Sequence, residues 1–222
     1  MYQPAHFEET RLEVMQALVA SQPLCTLVTL SDAGLVADPI PMLLRADVGP
    51  VGTLVGHVAR ANPLWRETRL DLPVLLVFQG PQHYVSPSWY PSKQEHGKVV
   101  PTWNYVVVQA RGLLQVHDDA AWVRQQATQI THQQERAAAK PWGLDDAPRD
   151  YTDSMLRAVV GISIEVTQWS GKWKVSQNQP AGNRAGVVQA LSGLADGLVH
   201  GQAQAMAALV TAHAPQPAPK SV

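Results

Sequence analysis

The chain has 222 residues, of which 45% are hydrophobic and 16% charged, and its formal net charge is −1. That length and balance predict one globular domain with room for a small appendage, and a core that needs no disulfide or metal. The near-neutral charge excludes a global basic field for nucleic acid, whose affinity comes mostly from Lys and Arg on phosphates.

In chain order, Met1 to His6 has neither a basic nor a long apolar stretch, so the expectation is a cytoplasmic protein without a secretory leader. Phe7, Leu12, Met15, Leu18 and Val19 fall near helical spacing, and Pro23 ends that helix. Residues 24–30 read as a strand. Ser31-Asp32-Ala33-Gly34 is turn chemistry, and Leu35 to Leu44 reads as the second strand of a hairpin. Pro39 and Pro41 predict that this second strand is at an edge or bulged. Cys25, the one cysteine, sits in an apolar run and reads as a buried small hydrophobe. Val51 to His57 is a third strand, and Asn62 and Pro63 open a short helix through Arg69. Leu72 to Gln79 is a fourth strand, with a turn at Gly80-Pro81 before Gln82 to Ser86.

Residues 87–102 form a long polar loop, of a length that inside a compact domain is usually functional or disordered. Trp103 to Val116 is the longest strand signal. Asp118-Asp119 starts a helix reaching about Ala139, with acidic residues in its first turn. A further helix is expected over Tyr151 to Arg157, and Val159 to Trp169 alternates as a strand. After Pro180 the composition turns to Ala, Gly, Gln and Val. Residues 184–210 are helix-permissive, and 211–222 read as a frayed tail. Strands that do not alternate regularly with helices predict a mainly β fold, an antiparallel barrel with added helices.

Four clusters could carry chemistry. In Gly56 to Trp65 a strand end presents His57, Arg60 and a helix start with Asn62, which together suit a phosphate; an ordinary capped helix with a surface Arg fits the same residues. Phe78 to Tyr90 alternates aromatics with small hydroxyls, which suits a flat heterocycle or a hairpin with core aromatics. Val100 to Tyr105 opens a strand, and Trp169 to Asn178 is either a polar site or a solvated exit loop. Seven Trp against two Phe strengthen the expectation of a flat ligand platform. The eight His have no zinc spacing, and no P-loop, dinucleotide fingerprint or nucleophile elbow occurs.

Taken in series, Met1-Tyr2-Gln3-Pro4, Gly56 to Trp65, Phe78 to Pro81, Tyr84 to Tyr90, Val100 to Tyr105, Gly161-Ile162 and Lys174 to Asn178 resemble the PaiB-like family of FMN-binding negative transcriptional regulators. The resemblance covers roughly residues 1–180. It implies a split β-barrel related to the pyridoxamine-phosphate-oxidase-like flavoproteins, with a helical insertion at 118–158. Residues 181–222 then form a C-terminal helix and flexible tail. It further implies a homodimer with FMN at the subunit interface. His57, Arg60 and Asn62 match the stretch placed by the FMN phosphate. Ser86, Ser88, Trp89, Tyr90, Thr102, Trp103, Asn104, Lys174, Ser176 and Gln177 would line the ring and ribityl chain. DNA is the partner implied by the regulatory role, with Arg66, Arg69, Lys93, Lys98, Lys172 and Lys174 as the side chains to test. The alternative is an FMN-dependent oxidoreductase, with His57, His83 or Tyr90 relaying a proton.

Overall fold

A computed structural model of the chain describes residues 1–194 and 200–213. The expected tail falls mostly on 214–222, outside the described residues. The strands are β1 (Glu8–Glu9), β2 (Leu24–Ser31), β3 (Gly34–Pro41), β4 (Leu43–Arg45), β5 (Thr53–Ala59), β6 (Val74–Val85), β7 (Thr102–His117) and β8 (Val159–Lys174). The helices are α1 (Leu12–Ser21), α2 (Leu64–Glu67), α3 (Ser92–His96), α4 (Ala120–Glu135), α5 (Arg149–Arg157), α6 (Ala181–Ser192) and α7 (His200–Ala212).

The strands form one sheet in the order β3-β2-β6-β7-β8-β5-β4, with β1 added on β8. The sheet does not close, since β3 and β4 are its two ends, and the pairs β2–β3, β2–β6, β4–β5, β5–β8 and β1–β8 are antiparallel. The mainly β, split-barrel expectation holds, and Pro39 and Pro41 lie on an edge strand where a missing N–H costs no inner ladder bond.

Several boundaries differ from expectation for local reasons. The first helix begins at Leu12 because Glu8 and Glu9 pair with Lys172 and Gly171. Gly80-Pro81 is not a turn but lies inside β6; β2 pairs with Leu75–Val77, so Pro81 falls beyond that ladder. The segment 87–101 holds a 3-10 turn at Pro87–Trp89, capped by Ser86, and α3, which ends on Gly97 at φ +67°. β8 runs on to Lys174, and Trp173, Val175 and Ser176 are buried, so no solvated exit loop starts at Trp169.

The chain divides into two units. The first comprises Arg11–Phe78 and Val108–Trp169, and its core is built on Val19, Leu27, Leu54, Leu76, Phe78, Ile162 and Ile164. The second comprises Met1–Thr10, Gln79–Val107 and the chain from Ser170 onward, with Val85, Val106, Trp173, Val175, Val187, Leu191 and Met206 buried. Each such side chain contributes about 1.5–3 kcal/mol by leaving water.

Candidate functional site

In the first unit, strand register lines up the side chains of one sheet face. Arg45 pairs with Thr53 and Thr53 with Glu165; Leu43 pairs with Val55 and Val55 with Ser163; His57 pairs with Gly161. Directly opposed residues point the same way, so these are three rows on one face. Arg45 and Glu165 stand two strand spacings apart, about 10 Å between backbones.

Helix α4 lies over the third row. Asp119 caps it, accepting from the Trp122 N–H at 2.7 Å. Trp122 stacks on His117, with ring centroids 4.0 Å apart and planes 6° from parallel. Gly161 makes room for that indole, since a Cβ there would come within 2.2 Å of the ring. Gln126, next on the same helix face as Val123 and Ala127, is 2% exposed. Its Oε1 accepts from His57 Nδ1 at 2.7 Å, and its Nε2 has no hydrogen-bond partner among the described residues.

Trp122, His117 and Gln126 line a cleft of about 220 Å³ with Arg45, Gln115, Gln125, Gln129, Ser163 and Glu165, and His57 stands behind Gln126 outside that lining. Its chemistry is rich in donors. Arg45 approaches Asp47 only to 3.9 Å, leaving most of its fork available. His117 Nε2 and Ser163 Oγ share a hydrogen bond of 2.7 Å, and burial holds the His117 pKa below its ordinary value. Such a cleft can bind an anionic group beside amide-bonding polar atoms and a flat aromatic wall.

Arg60 and Asn62 are otherwise engaged. Arg60 donates to both carboxylate oxygens of Asp118 at 3.0 and 2.6 Å, to the Arg157 carbonyl at 2.7 Å and to the Val159 carbonyl at 3.1 Å. This fork ties the end of β5 to the ends of β7 and α5, and the Arg60 hydrogen bond holds Asp118 below the usual carboxylate range. Asn62 Oδ1 accepts from the Leu64 N–H at 2.8 Å and so caps the turn into α2. The second cleft of the first unit, about 440 Å³, is lined by Asn62 together with Asp38 and Glu67, and no Lys, Arg or His is among its described lining residues.

In the second unit, Lys174 Nζ donates to Thr102 Oγ1 and to the Trp103 carbonyl at 2.7 Å. Burial, then the charge of Lys172, lowers the Lys174 pKa. Asn104 Nδ2 donates to Ser176 Oγ at 2.9 Å, both being buried. Ser176 has φ +66°, a left-handed geometry costing a non-glycine residue about 1–3 kcal/mol, and the Asn104 bond holds it there. Gln177 braces the same turn, accepting from the Val175 N–H and donating to the Trp173 carbonyl. Trp103 is half-exposed, meets Tyr84 edge-on at 6.1 Å, and lines a cleft of about 280 Å³ with Gln79, Gln82 and Tyr105. Ser86 and Ser88 hydrogen-bond each other at 2.6 Å, Trp89 is half-buried near His83, and the buried Tyr90 hydroxyl has no partner among the described residues.

The structure therefore gathers His57 with residues that sequence reasoning missed: Arg45, His117, Trp122, Gln126 and Ser163. One signal was present in the sequence. Gln126 occupies a core position in the stripe of Val123 and Ala127, where a carboxamide is poor core material.

Residues 1–168 match the model of a protein family described as "Putative FMN-binding domain". The chain belongs to this family. It is 32% identical over 229 residues to an uncharacterized protein of Emericella nidulans, covering 87% of this chain and 91% of that one. It is 29% identical to the protease synthase and sporulation protein PAI 2 of Bacillus subtilis, over 86% of this chain and 89% of that one, in keeping with the PaiB-like resemblance. Among solved structures, the flavocytochrome Anf3 of Azotobacter vinelandii shares the fold at 11% identity, with a TM-score of 0.54 over 75% of this chain and 69% of that one.

FMN is the cofactor that goes with this family. The first-unit cleft fits a part of it: one guanidinium and one orphaned buried amide face a space with flat aromatic lining. At about 220 Å³ the cleft is smaller than the roughly 300–1,000 Å³ that drug-sized ligands occupy. No helix among the described residues is long and apolar enough to cross a membrane.

Proposed function

We propose that this protein is an FMN-binding homodimer in which Arg45 and Gln126 of each protomer hold the phosphate-bearing part of the flavin, with His57 positioning Gln126. The observation that carries this reading is the Nε2 of Gln126, unpartnered among the described residues, in a cleft lined by Arg45 as well as Glu165. A buried amide donor with no acceptor costs about 1–3 kcal/mol, a cost that an anionic oxygen would remove. Arg45 adds a fork suited to phosphate. The small volume supports the dimer, because a second copy would supply the remaining walls. Equilibrium titration with FMN, with the mass in solution followed in parallel, tests both parts. A flavin near one per chain on a dimer is expected, and a monomer that binds FMN fully would remove the second copy from the site.

The output we infer is regulatory. The Bacillus subtilis relative is named for protease synthase and sporulation and not for a reaction. Of the basic side chains first considered for DNA, Arg69 pairs with Asp71, and Lys172 and Lys174 donate to Tyr2, Thr102 and Trp103. Direct DNA binding then rests on Arg66, Lys93 and Lys98. It predicts a salt slope of about three released counterions, and a slope near zero would exclude it.

One observation favours an oxidoreductase instead. When bound, FMN supplies electron and hydride transfer, and the protein supplies position and proton handling. His117 and Ser163 line the same cleft and share a hydrogen, so they can hold a proton there. Rapid bleaching of the bound flavin by a nicotinamide cofactor, slowed in Ser163→Ala, would support this reading over the regulatory one.

A further inference from the structure

The cleft beside α2 is a second built site of the opposite charge. Its strand wall is the β2–β3 hairpin, where Leu27 pairs with Asp38, Thr29 with Val36 and Ser31 with Gly34. Leu27 and Thr29 face inward and are buried, so Asp38 turns its carboxylate toward the same inner side. Its Oδ2 is buried and has no hydrogen-bond partner among the described residues. Asp38 as a whole is half-buried, so it is this one shielded oxygen that lacks a donor, at a cost in free energy.

The other wall is the segment through α2. The Arg69 N–H donates to the Leu30 carbonyl at 2.8 Å and pins this segment to β2. The local backbone is satisfied, with Leu64 N–H on Asn62 Oδ1 and Thr68 N–H on the Leu64 carbonyl. The Thr68 side chain is what remains: it is 7% exposed, lines the cleft, and its Oγ1 has no partner among the described residues. Glu67 adds a second carboxylate, and Val36, Pro63 and Leu64 add an apolar wall.

Two unpartnered buried oxygens, two carboxylates and no lining cation reject an anion and call for a donor. No group of three or more His, Cys, Asp or Glu able to hold a metal ion occurs among the described residues. A primary ammonium has three N–H donors on one charge, enough to serve Asp38 and Thr68 together, and an attached alkyl chain matches the Val36–Leu64 wall. We propose that this cleft binds a small primary alkylamine in its protonated form, through Asp38 and Thr68.

The test is calorimetric titration of the full-length protein with n-butylammonium chloride, with tetramethylammonium chloride as the cation that lacks N–H donors. Saturable binding in the low-millimolar range or tighter is expected for butylammonium, and none for tetramethylammonium. The isosteric variants Asp38→Asn and Thr68→Val should each bind at least tenfold more weakly, with circular dichroism confirming that they fold. Should Asp38→Asn not fold, Thr68→Val decides. No saturable heat, equal binding of both cations, or unchanged affinity in the folded variants would overturn the proposal. A change of mass in solution in Asp38→Asn without any amine binding would also overturn it, assigning the ammonium to a lysine of a second copy.

Discussion

The two clefts of the first unit are each lined by a buried polar atom without a partner, an amide nitrogen of Gln126 in one and a carboxylate oxygen of Asp38 in the other. Around Gln126 stand Arg45, Glu165, His117 and three more glutamines, whereas around Asp38 stand Glu67, Thr68 and, among the described residues, no lining cation. An unmatched buried group costs free energy in either place, so each cleft is defined by what its ligand must bring. The first asks for an acceptor and tolerates negative charge; the second asks for a donor and repels it. A single-residue reading misses this. Asn62, expected beside a phosphate, shares its cleft with Asp38 and Glu67.

The comparison can be broken most severely at Gly161. Its Cα hydrogen leaves the space that the Trp122 ring fills, so Gly161→Ala should displace the ring, destabilise the fold by about 1–3 kcal/mol and weaken flavin binding. Chemical denaturation with and without FMN measures both, and an unperturbed variant would mean that Trp122 does not shape the cleft. Gln126→Met removes the orphaned donor but leaves the His57 Nδ1–H without its acceptor. A loss of about 1–3 kcal/mol in stability is expected, with weaker flavin binding and unchanged amine binding.

A smaller effect should appear with pH. Burial holds the His117 pKa down, so the unfolded chain takes up its proton first as pH falls. Stability should therefore decline as pH drops below about 6.5 toward the depressed value, and His117→Gln should flatten that slope. The smallest effect concerns the Arg60 brace. Asp118→Asn should leave flavin affinity unchanged if Arg60 is structural, while the wild-type contribution of this pair is full above the carboxylate range and lost as pH falls below it. A gain in FMN affinity in Asp118→Asn would show that a released Arg60 serves the phosphate.

What was legible in the sequence was local. The β2–β3 hairpin could be read because Ser31 to Gly34 is turn chemistry and Gly34 takes φ +114°. The Asn62 turn bond spans two residues and is equally local, although the N-cap of α2 is Pro63 and not the expected Asn62. Arg60, by contrast, meets Asp118 from 58 positions away, and no local pattern announces that partner. Arg45 was invisible because its role comes from a register shared by three strands, Arg45–Thr53–Glu165, and not from its neighbours in sequence. The low apolar content of Lys174 to Asn178 suggests poor core material, yet Ser176 is buried, and strand β8 extends past Trp169 so that Lys174 reaches Thr102.

The measurement that bears most directly on the flavin site is the FMN dissociation constant of the wild type and of Arg45→Ala, both checked for folding. Saturable binding weakened about tenfold or more in Arg45→Ala is the expected result, the size of one hydrogen bond to a charged group. An Arg45→Ala protein that folds and binds FMN as tightly as the wild type would contradict the assignment and move the phosphate to another part of the chain.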